Sequence, residues 1–263
     1  MKLATFTVPG REAPLVGEVV GEQRIVAFAD GVTVLDLLRD GAARACAGGE
    51  EWSLSEVTLL APIPAPRTIY AIGLNYAEHV RETGAELPER PVVFVKVPSS
   101  VVAPGGPVRC PAVVRRLDYE GELVIVIGAG GQIAGFCVAD DVTARDLQRR
   151  EPQWTRAKGA DTFCPLGPWI TTAEEVPDPD ALRLRTWVNG ELRQDSSTAD
   201  MVFGCAELVQ FIAETCTLGP GDVILTGTPS GVGMGFDPPR FLRSCDVVRI
   251  EIERLGAIEH VVS

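Results

Sequence analysis

Short apolar runs bounded by Gly, Pro and Asp dominate the chain, a pattern that is typical of β-strands. The predicted strands span residues 1–7, 15–20, 24–28, 68–73, 92–97, 122–127, 184–188, 222–225 and 247–252. Helical patterns are predicted only at about 33–44, 143–150 and 206–215. Because strands outnumber helices and do not alternate with them, the pattern predicts an α+β fold with a mainly β core.

Proline at alternate positions marks one connector. In segment 61–67, Pro62, Pro64 and Pro66 forbid a helix and favour an extended chain. We therefore predict a domain boundary there, with a small N-terminal α/β domain at residues 1–60 and a larger domain at 61–263.

Composition and charge narrow the class of partner. The formal net charge of -12 argues against nucleic acid, which requires a basic surface. No apolar stretch approaches the roughly 20 residues of a membrane span, and the N-terminus does not resemble a signal peptide. The seven cysteines form no Cys-x-x-Cys pair, which indicates reduced thiols. These features predict a cytoplasmic protein that binds neither nucleic acid nor membrane.

Two glutamates open the most apolar run of the chain. Glu120 and Glu122 precede residues 123–127, which continue without a polar position, as in a strand covered on both faces. Side chains at i and i+2 of a strand share one face, so the two carboxylates should converge. Asp141 follows at the end of a second apolar run.

Three converging buried carboxylates are costly unless a cation compensates their charge. Oxygen ligands alone select a hard cation, so Glu120, Glu122 and Asp141 predict a site for Mg²⁺ or Mn²⁺, with Ca²⁺ less favoured. The alternative is an edge strand with a solvated start. Thr143 and Asp146 have the spacing of a capping box, which does not explain Asp141.

His79 and Glu82 lie three residues apart and would share one side of a helical turn. The carboxylate would orient the imidazole and raise its basicity, so that the ring could take a proton from water. The alternative is a charged surface helix, and Lys158 could equally be a solvated surface lysine.

The glycine-rich segment 226–233 offers backbone amides and hydroxyls that could bind an anion. It matches neither the Walker A motif nor the G-x-G-x-x-G motif, and an ordinary turn is the alternative. His260, three residues from the end of the printed sequence, is predicted to have no role.

Taken in order, five segments resemble the fumarylacetoacetate hydrolase family. They are residues 73–76 with His79, residues 118–122, residues 141–146, Lys158 with residues 161–165, and residues 226–229. The resemblance covers about residues 66–260, and residues 1–60 look like the small N-terminal domain of many bacterial members. It implies a roll of mixed β-sheets and a homodimer.

The resemblance also implies roles for individual side chains. Those implied are metal binding by Glu120, Glu122 and Asp141, water activation by His79 and Glu82 on a lid, substrate holding by Lys158, and substrate contact by Arg145, Gln148 and Thr228. The link at 128–133 is shorter than is usual in the family. A tight glycine turn still brings two strand ends together, but the pocket wall or dimer contact there is expected to differ.

The leading functional hypothesis is metal-dependent hydrolysis of a carbon–carbon bond in a small 2-oxo acid, such as an acylpyruvate or another 1,3-diketo acid. The metal would chelate the carboxylate and the 2-oxo oxygen and stabilise an enolate. His79 with Glu82 would deprotonate the attacking water, and Lys158 and Thr228 would stabilise negative charge or position the substrate.

Three alternatives stay open. The same metal and enolate chemistry supports decarboxylation of oxaloacetate or isomerisation of a 2-hydroxy-dienedioate in the degradation of aromatic compounds. An alternative from another class is a binder of metal and carboxylate without turnover.

Overall fold

The computed structural model describes residues 1–40 and 49–263. Its strands are β1 (Lys2–Thr7), β2 (Leu15–Val20), β3 (Arg24–Ala27), β4 (Glu51–Ser53), β5 (Thr58–Leu59), β6 (Ile69–Gly73), β7 (Val92–Lys96), β8 (Val101–Val102), β9 (Leu117–Asp118), β10 (Gly121–Ile127), β11 (Ile133–Asp140), β12 (Thr143–Ala144), β13 (Cys164–Thr172), β14 (Arg183–Val188), β15 (Glu191–Ser197), β16 (Val223–Leu225), β17 (Val247–Ile252) and β18 (Gly256–Val261). Its α-helices are α1 (Val34–Asp40), α2 (Ala77–Thr83), α3 (Arg145–Gln148), α4 (Thr155–Lys158) and α5 (Cys205–Ala213). Short 3-10 turns lie at Leu54–Glu56, Pro98–Ser100, Ala129–Gly131, Ala173–Glu175, Pro179–Ala181, Thr198–Asp200 and Gly233–Gly235.

Twelve strands form one mixed sheet with the order β4-β3-β2-β1-β13-β11-β10-β16-β6-β7, with β5 beside β1 and β8 beside β13. The short link between β7 and β8 brings the chain back from the last strand of this order to the start of β13, where Val101 pairs with Cys164. The sheet therefore curls into a roll, as the family resemblance implies.

A second sheet of four strands, β15-β14-β17-β18, packs on the roll. Its strands β14 and β17 alternate between buried and more exposed residues, because only one face meets the core. Strand β10 is buried at every position and β11 at its last six, since both of their faces are covered. The apolar core therefore surrounds the strands that carry the predicted metal ligands.

Four strand ends meet at one edge of the roll. Strand β10 starts where β11 ends, and β10 also runs antiparallel to β16, which is parallel to β6. The beginning of β10 and the segments that follow β11, β16 and β6 consequently lie together. These segments contain the predicted metal ligands, the glycine-rich segment and helix α2.

The mainly β fold confirms the sequence prediction, and the predicted strands occur with ends that differ by one or two residues. Among the longer strands the prediction missed β13, β15 and β18, because proline, glycine or charged residues interrupt their apolar pattern. It also missed the strands of two or three residues, β4, β5, β8, β9 and β12, which are too short to show a pattern. Helix α1 begins one residue after the start of the helix predicted at 33–44. Residues 41–44 of that predicted helix, and Cys46, lie outside the described residues.

The capping role predicted for Thr143 and Asp146 is wrong. Residues Thr143 and Ala144 form strand β12, which pairs with β9, and α3 starts only at Arg145 without a side-chain cap. The hydroxyl of Thr143 donates to the carbonyl of Asp141 instead, and Asp146 Oδ2 accepts from the amide of Arg115.

The first five strands join the same sheet as the rest of the chain, because β1 pairs with β13. Side chains of β1, β2 and α1 also share an apolar cluster with β10 and β11. The division into domains at about residue 60 stays a prediction. Within residues 1–40 and 49–263, no helix is both long and apolar enough to cross a membrane.

Candidate active site

The three predicted metal ligands meet at the edge where β10 begins and β11 ends. One carboxylate oxygen each from Glu120, Glu122 and Asp141 lies within 4.8 Å of the other two, and all three side chains are buried. Their positions follow from the strand register. Gly121 pairs with Asp140, so the preceding residue Glu120 lies beside Asp141, the residue that follows Asp140. Glu122 is two residues beyond Glu120 and shares its face. The alternative of a solvated edge strand is wrong.

Lys158 lies between two of these carboxylates. Its Nζ donates to Glu120 Oε2 and to Asp141 Oδ2, both at 2.6 Å, and to Thr143 Oγ1 at 2.9 Å. Burial alone would lower the pKa of Lys158, but the charges of Asp141 and Glu120 outweigh it and raise the pKa above its ordinary value. Lys158 is therefore a buried ammonium and not the solvated surface lysine of the alternative reading.

Lys96 is a second buried ammonium that the sequence reasoning missed. Its Nζ donates to Asp141 Oδ1 at 2.6 Å and to the backbone carbonyl of Lys158. Lys96 ends the apolar strand β7, and the return of the chain from β7 to β8 brings this lysine to the site. A lysine that closes an apolar strand was the only signal available in the sequence.

Arg145 completes the cationic side of the site. Its Nη2 lies 2.5 Å from Glu120 Oε1, its Nε donates to Asp118 Oδ2 at 2.8 Å, and its Nη1 donates to Gln148 Oε1 at 3.0 Å. Burial would raise the pKa of Glu120, but Arg145 and Lys158 outweigh it and lower that pKa to about 2. Glu120 is therefore ionised with two cationic partners.

Glu122 has the opposite environment. Its Oε2 accepts a hydrogen bond from the amide of Gly227 at 2.7 Å, and within residues 1–40 and 49–263 no cationic side chain is paired with it. Burial, followed by the charges of Asp141 and Glu120, raises the pKa of Glu122 well above its ordinary value. A buried carboxylate that lacks a cation, beside two further carboxylate oxygens, fits a hard divalent cation.

Helix α2 carries the predicted His79–Glu82 pair. His79 Nδ1 lies 3.0 Å from Glu82 Oε2, and the two side chains are only 7% and 16% exposed. The other oxygen of Glu82 accepts from the amide of Gly231 at 2.9 Å. Because Nδ1 is engaged, Nε2 is the ring nitrogen that can exchange a proton with a bound molecule. The alternative of a charged surface helix is wrong for these two residues.

The glycine-rich segment does bind anions, but they are carboxylates of the chain itself. The amide of Gly227 donates to Glu122, that of Gly231 to Glu82, and that of Gly233 to Asp118 Oδ1. The amide of Met234, directly after the segment, donates to Asp118 Oδ2. Asp118 also holds Arg145. One segment therefore positions a predicted metal ligand, the carboxylate that is paired with the imidazole, and the partner of the guanidinium.

Glycine is required at the first of these positions. Gly227 has a φ of +96°, and a Cβ there would lie 2.8 Å from the Cβ of Asn75. Asn75 in turn donates its side-chain amide to the carbonyl of Thr226 at 2.7 Å. The turn that aims the Gly227 amide at Glu122 thus depends on the absence of a side chain.

Thr228 lies in the wall of the site, but its hydroxyl is engaged. It donates to the carbonyl of Gly121 at 2.9 Å and accepts from Gln194 Nε2 at 2.8 Å. A substrate contact through this hydroxyl would compete with both bonds, so the predicted role of Thr228 stays a prediction.

His260, which the sequence predicts to have no role, lies behind the carboxylate cluster. His260 is fully buried, and its Nε2 lies 3.0 Å from Asp140 Oδ2. Asp140 Oδ1 accepts from the amide of Glu120 at 2.8 Å. His260 therefore lies directly behind the backbone of a predicted metal ligand, although 120 residues separate Asp140 from it in the sequence.

These groups surround one cavity of about 250 Å³. The predicted site residues that line it are His79, Glu120, Glu122, Arg145, Gln148, Lys158 and Thr228. Glu82 and Asp141 lie behind its surface, bonded to His79 and Lys158. Drug-sized ligands usually occupy roughly 300–1,000 Å³, so this cavity favours a small molecule.

Comparison with known proteins bears on the chemistry of this cavity. Residues 68–263 match the family model described as fumarylacetoacetate (FAA) hydrolase C-terminal. Oxaloacetate tautomerase YisK of Bacillus subtilis is 44% identical over 229 residues, which are 82% of this chain and 76% of that protein. Mitochondrial oxaloacetate tautomerase fahd2 of Xenopus laevis is 45% identical over 222 residues, 80% of this chain and 70% of that protein.

Solved structures are similar over the whole chain. Fumarylacetoacetate hydrolase of Exiguobacterium antarcticum has a TM-score of 0.88 at 36% identity and covers 100% of this chain and 99% of its own. The 5-carboxymethyl-2-hydroxymuconate delta-isomerase of Mycobacterium smegmatis has a TM-score of 0.83 at 37% identity, with the same coverage.

Proposed function

The chain belongs to the fumarylacetoacetate hydrolase family, and we propose that it is a divalent-metal-dependent enzyme that interconverts the enol and keto forms of a small 2-oxo diacid such as oxaloacetate. The observation that carries this proposal is the His79–Glu82 pair in the wall of a small cavity that also exposes Glu120, Glu122 and Lys158. A base beside fixed charges is what proton transfer next to a carbonyl group requires.

The residues present fit a divalent cation. Glu120, Glu122 and Asp141 would hold it, and the uncompensated charge of Glu122 is the feature that a cation would balance. When bound, the cation would supply Lewis acidity that stabilises negative charge on the oxygens of the substrate. Mg²⁺ and Mn²⁺ suit this set of oxygen ligands.

The protein side chains account for the proton transfer. Starting from the keto form, His79 Nε2 takes a proton from the carbon next to the 2-oxo group. The electron pair of that C–H bond becomes the C=C bond, and the π pair of the carbonyl group moves to the oxygen. The imidazolium then gives its proton to that oxygen, which yields the enol and restores neutral His79. Glu82 stabilises the imidazolium through its bond to Nδ1. Lys158 donates hydrogen bonds to Glu120, Asp141 and Thr143, and these bonds fix its ammonium group at the cavity wall. Its role is therefore to supply a fixed positive charge to the cavity.

Two observations support tautomerisation over hydrolysis. The relatives named above that share 44% and 45% identity are oxaloacetate tautomerases. The cavity of about 250 Å³ also suits a short diacid better than a long acylpyruvate together with an attacking water.

Hydrolysis of an acylpyruvate, the leading hypothesis from the sequence, is the second candidate. The same His79–Glu82 pair could deprotonate a water, and the similar structure from Exiguobacterium antarcticum is a fumarylacetoacetate hydrolase.

One assay panel separates these functions from decarboxylation, dienedioate isomerisation and binding without turnover. The purified chain, with Mg²⁺ or Mn²⁺ and after chelation, is given enol oxaloacetate, acetylpyruvate, fumarylpyruvate and 2-hydroxyhepta-2,4-diene-1,7-dioate. We expect metal-dependent loss of the enol absorption above the uncatalysed rate, without formation of pyruvate. Cleavage of the acylpyruvates with no effect on the enol would replace tautomerisation by hydrolysis. Metal binding with no turnover of any compound would favour the non-catalytic binder.

Assembly as a homodimer and a cytoplasmic location stay predictions from the sequence. Strand β7, at the end of the large sheet, exposes Val93 and Val95, which is consistent with a surface that a second copy covers. Light scattering on the purified chain measures the mass in solution, and a monomer would contradict the predicted dimer.

A further inference from the structure

Arg149 lies one helical turn beyond Arg145 on the same side of the chain. It follows directly after α3 with helical dihedrals (φ −77°, ψ −22°), and its amide donates to the carbonyl of Arg145. Residues at i and i+4 of a helix face the same way. Both arginines accordingly line the cavity.

The two arginines differ in their partners. Arg145 is held by Asp118, Glu120 and Gln148, and the ammonium of Lys158 is held by two carboxylates. For Arg149, by contrast, the described residues provide neither an ion pair nor a hydrogen bond to its guanidinium, and this lining residue is exposed. Arg149 is therefore the cation in the cavity lining that remains available for a bound molecule.

The acids near Arg149 in the sequence form no ion pair with it, although the buried Oδ1 of Asp146 has no hydrogen-bond partner among the described residues. Glu151 accepts from Arg156 Nη1 at 2.6 Å, and Asp146 accepts from the amide of Arg115 at 3.1 Å through Oδ2. The neighbouring Arg150 is also exposed, but its Nε donates to the backbone carbonyl of Asp146, and Arg150 does not line the cavity.

Given a 2-oxo diacid as substrate, as in the proposed function, we infer that Arg149 binds the carboxylate at the far end of the substrate and thereby selects diacids over monoacids. The end of the substrate that carries the 2-oxo acid would bind at the carboxylate cluster, where a divalent cation would balance the charge of Glu122. The second carboxylate then needs a cation of its own, and four helical residues, about 6 Å along the helix axis, separate Arg149 from Arg145. A planar guanidinium binds a carboxylate through two parallel hydrogen bonds.

The test compares oxaloacetate with its 4-methyl ester, which keeps the four-carbon chain and replaces the distal charge by a neutral ester. Arg149→Gln should lower kcat/KM for oxaloacetate by about 10- to 100-fold, because a hydrogen-bonded ion pair is lost. The change should appear mainly in KM, and the ester should be converted at the wild-type rate. Arg149→Lys should retain part of the preference, because it keeps the charge without the planar fork.

Arg150→Gln is the matched control, since it removes the same charge from the adjacent position, which is also exposed. It should leave both substrates unaffected. An equal loss in Arg149→Gln and Arg150→Gln would show a general effect of net charge, and an equal loss for oxaloacetate and the ester would show a structural effect. Either result overturns the inference.

Equilibrium binding separates a failure of this inference from a failure of the proposed reaction. Calorimetry with the Mg²⁺-supplemented chain compares malate with lactate, which lacks the distal carboxylate. We expect wild type to bind malate at least about tenfold more tightly and Arg149→Gln to bind the two with similar affinity. This result supports the role of Arg149 even if oxaloacetate is not turned over. Equal binding of malate and lactate by wild type would refute it.

Discussion

The floor and the wall of the cavity hold their charges in different ways. The floor consists of Glu120, Glu122 and Asp141, which lie at strand ends or directly beside them, and of Lys158, which ends helix α4. Lys158 holds Glu120 and Asp141 by short bonds, and Glu122 is held by the amide of Gly227. The wall is helix α2, where the imidazole of His79 has one carboxylate partner, bound to one backbone amide. This difference indicates a division of work, in which the floor binds fixed charge and the wall exchanges a proton.

Within the floor, the two glutamates around Gly121 differ again. Glu120 is ionised by Arg145 and Lys158, whereas Glu122 has an amide partner and a raised pKa. The two carboxylates therefore differ in pKa because their partners differ. Glu120 reaches the cations of Arg145 and Lys158, and Glu122 reaches the backbone of the glycine-rich segment.

The largest expected effect falls on the wall. His79→Ala should lower kcat by about 10²- to 10⁴-fold, the usual contribution of a general base, while the affinity for Mg²⁺ stays unchanged. Steady-state kinetics and calorimetry measure the two quantities. Glu78→Ala, on the exposed side of the same helix, is the control and should behave like wild type. A variant at His79 with wild-type kcat would remove the wall from the mechanism.

The next effect falls on the floor. Glu122→Gln should weaken Mg²⁺ binding by more than the roughly 10- to 100-fold loss that follows removal of a group that only orients a ligand. The His79–Glu82 bond should survive, which the unchanged NMR signals of the imidazole would show. Undiminished metal affinity in Glu122→Gln would mean that the three carboxylates do not form the metal site.

A smaller effect is expected for the carboxylate behind the base. Glu82→Gln removes the charge that stabilises the imidazolium, and kcat should fall by about 10- to 100-fold, as for other hydrogen bonds to charged groups. The loss should therefore be smaller than for His79→Ala, and metal affinity should again be unchanged. A change in metal affinity would show that the floor and the wall are not separate.

The smallest effects concern the pH dependence of stability in the chelated protein. Glu122 has a folded pKa above its ordinary value of 4.5, so its ionisation opposes folding, and wild type loses stability as pH rises from about 4.5 through that raised pKa. Glu122→Gln should avoid this loss and exceed wild type in Tm increasingly toward neutral pH. Because a free-energy change of about 1 kcal/mol shifts Tm by roughly 2–4 °C in a protein of this size, thermal denaturation can resolve it.

Glu120→Gln should behave in the opposite way. The folded pKa of Glu120 is about 2, so its ionisation stabilises the fold above about 4.5, and this stabilisation disappears as pH falls toward 2. The variant should therefore be less stable than wild type at neutral pH, with a difference that narrows in acid. If both variants were more stable than wild type at neutral pH, or both less stable, the predicted difference in pKa between the two glutamates would be contradicted.

Local patterns were sufficient to predict that Glu120, Glu122 and Asp141 converge and that His79 pairs with Glu82. The spacing i, i+2 on a strand and i, i+3 on a helix determines which side chains lie together, and both spacings are visible in the sequence. The groups around them were missed because their partners are distant: Lys96 reaches Asp141 across 45 residues, and His260 meets Asp140 only through the packing of the second sheet. Such contacts depend on how the sheet curls, which no short pattern encodes.

The glycine-rich segment has a consequence for how the chemistry of this protein can change. Its amides hold Glu122, Glu82 and Asp118 at once, so a shift of this backbone would disturb cation affinity, basicity and guanidinium placement together. Such coupled damage makes single replacements there poor starting points for a new activity. Variation at Arg149, which the segment does not contact, offers a route to altered substrate preference that leaves the reacting centre intact.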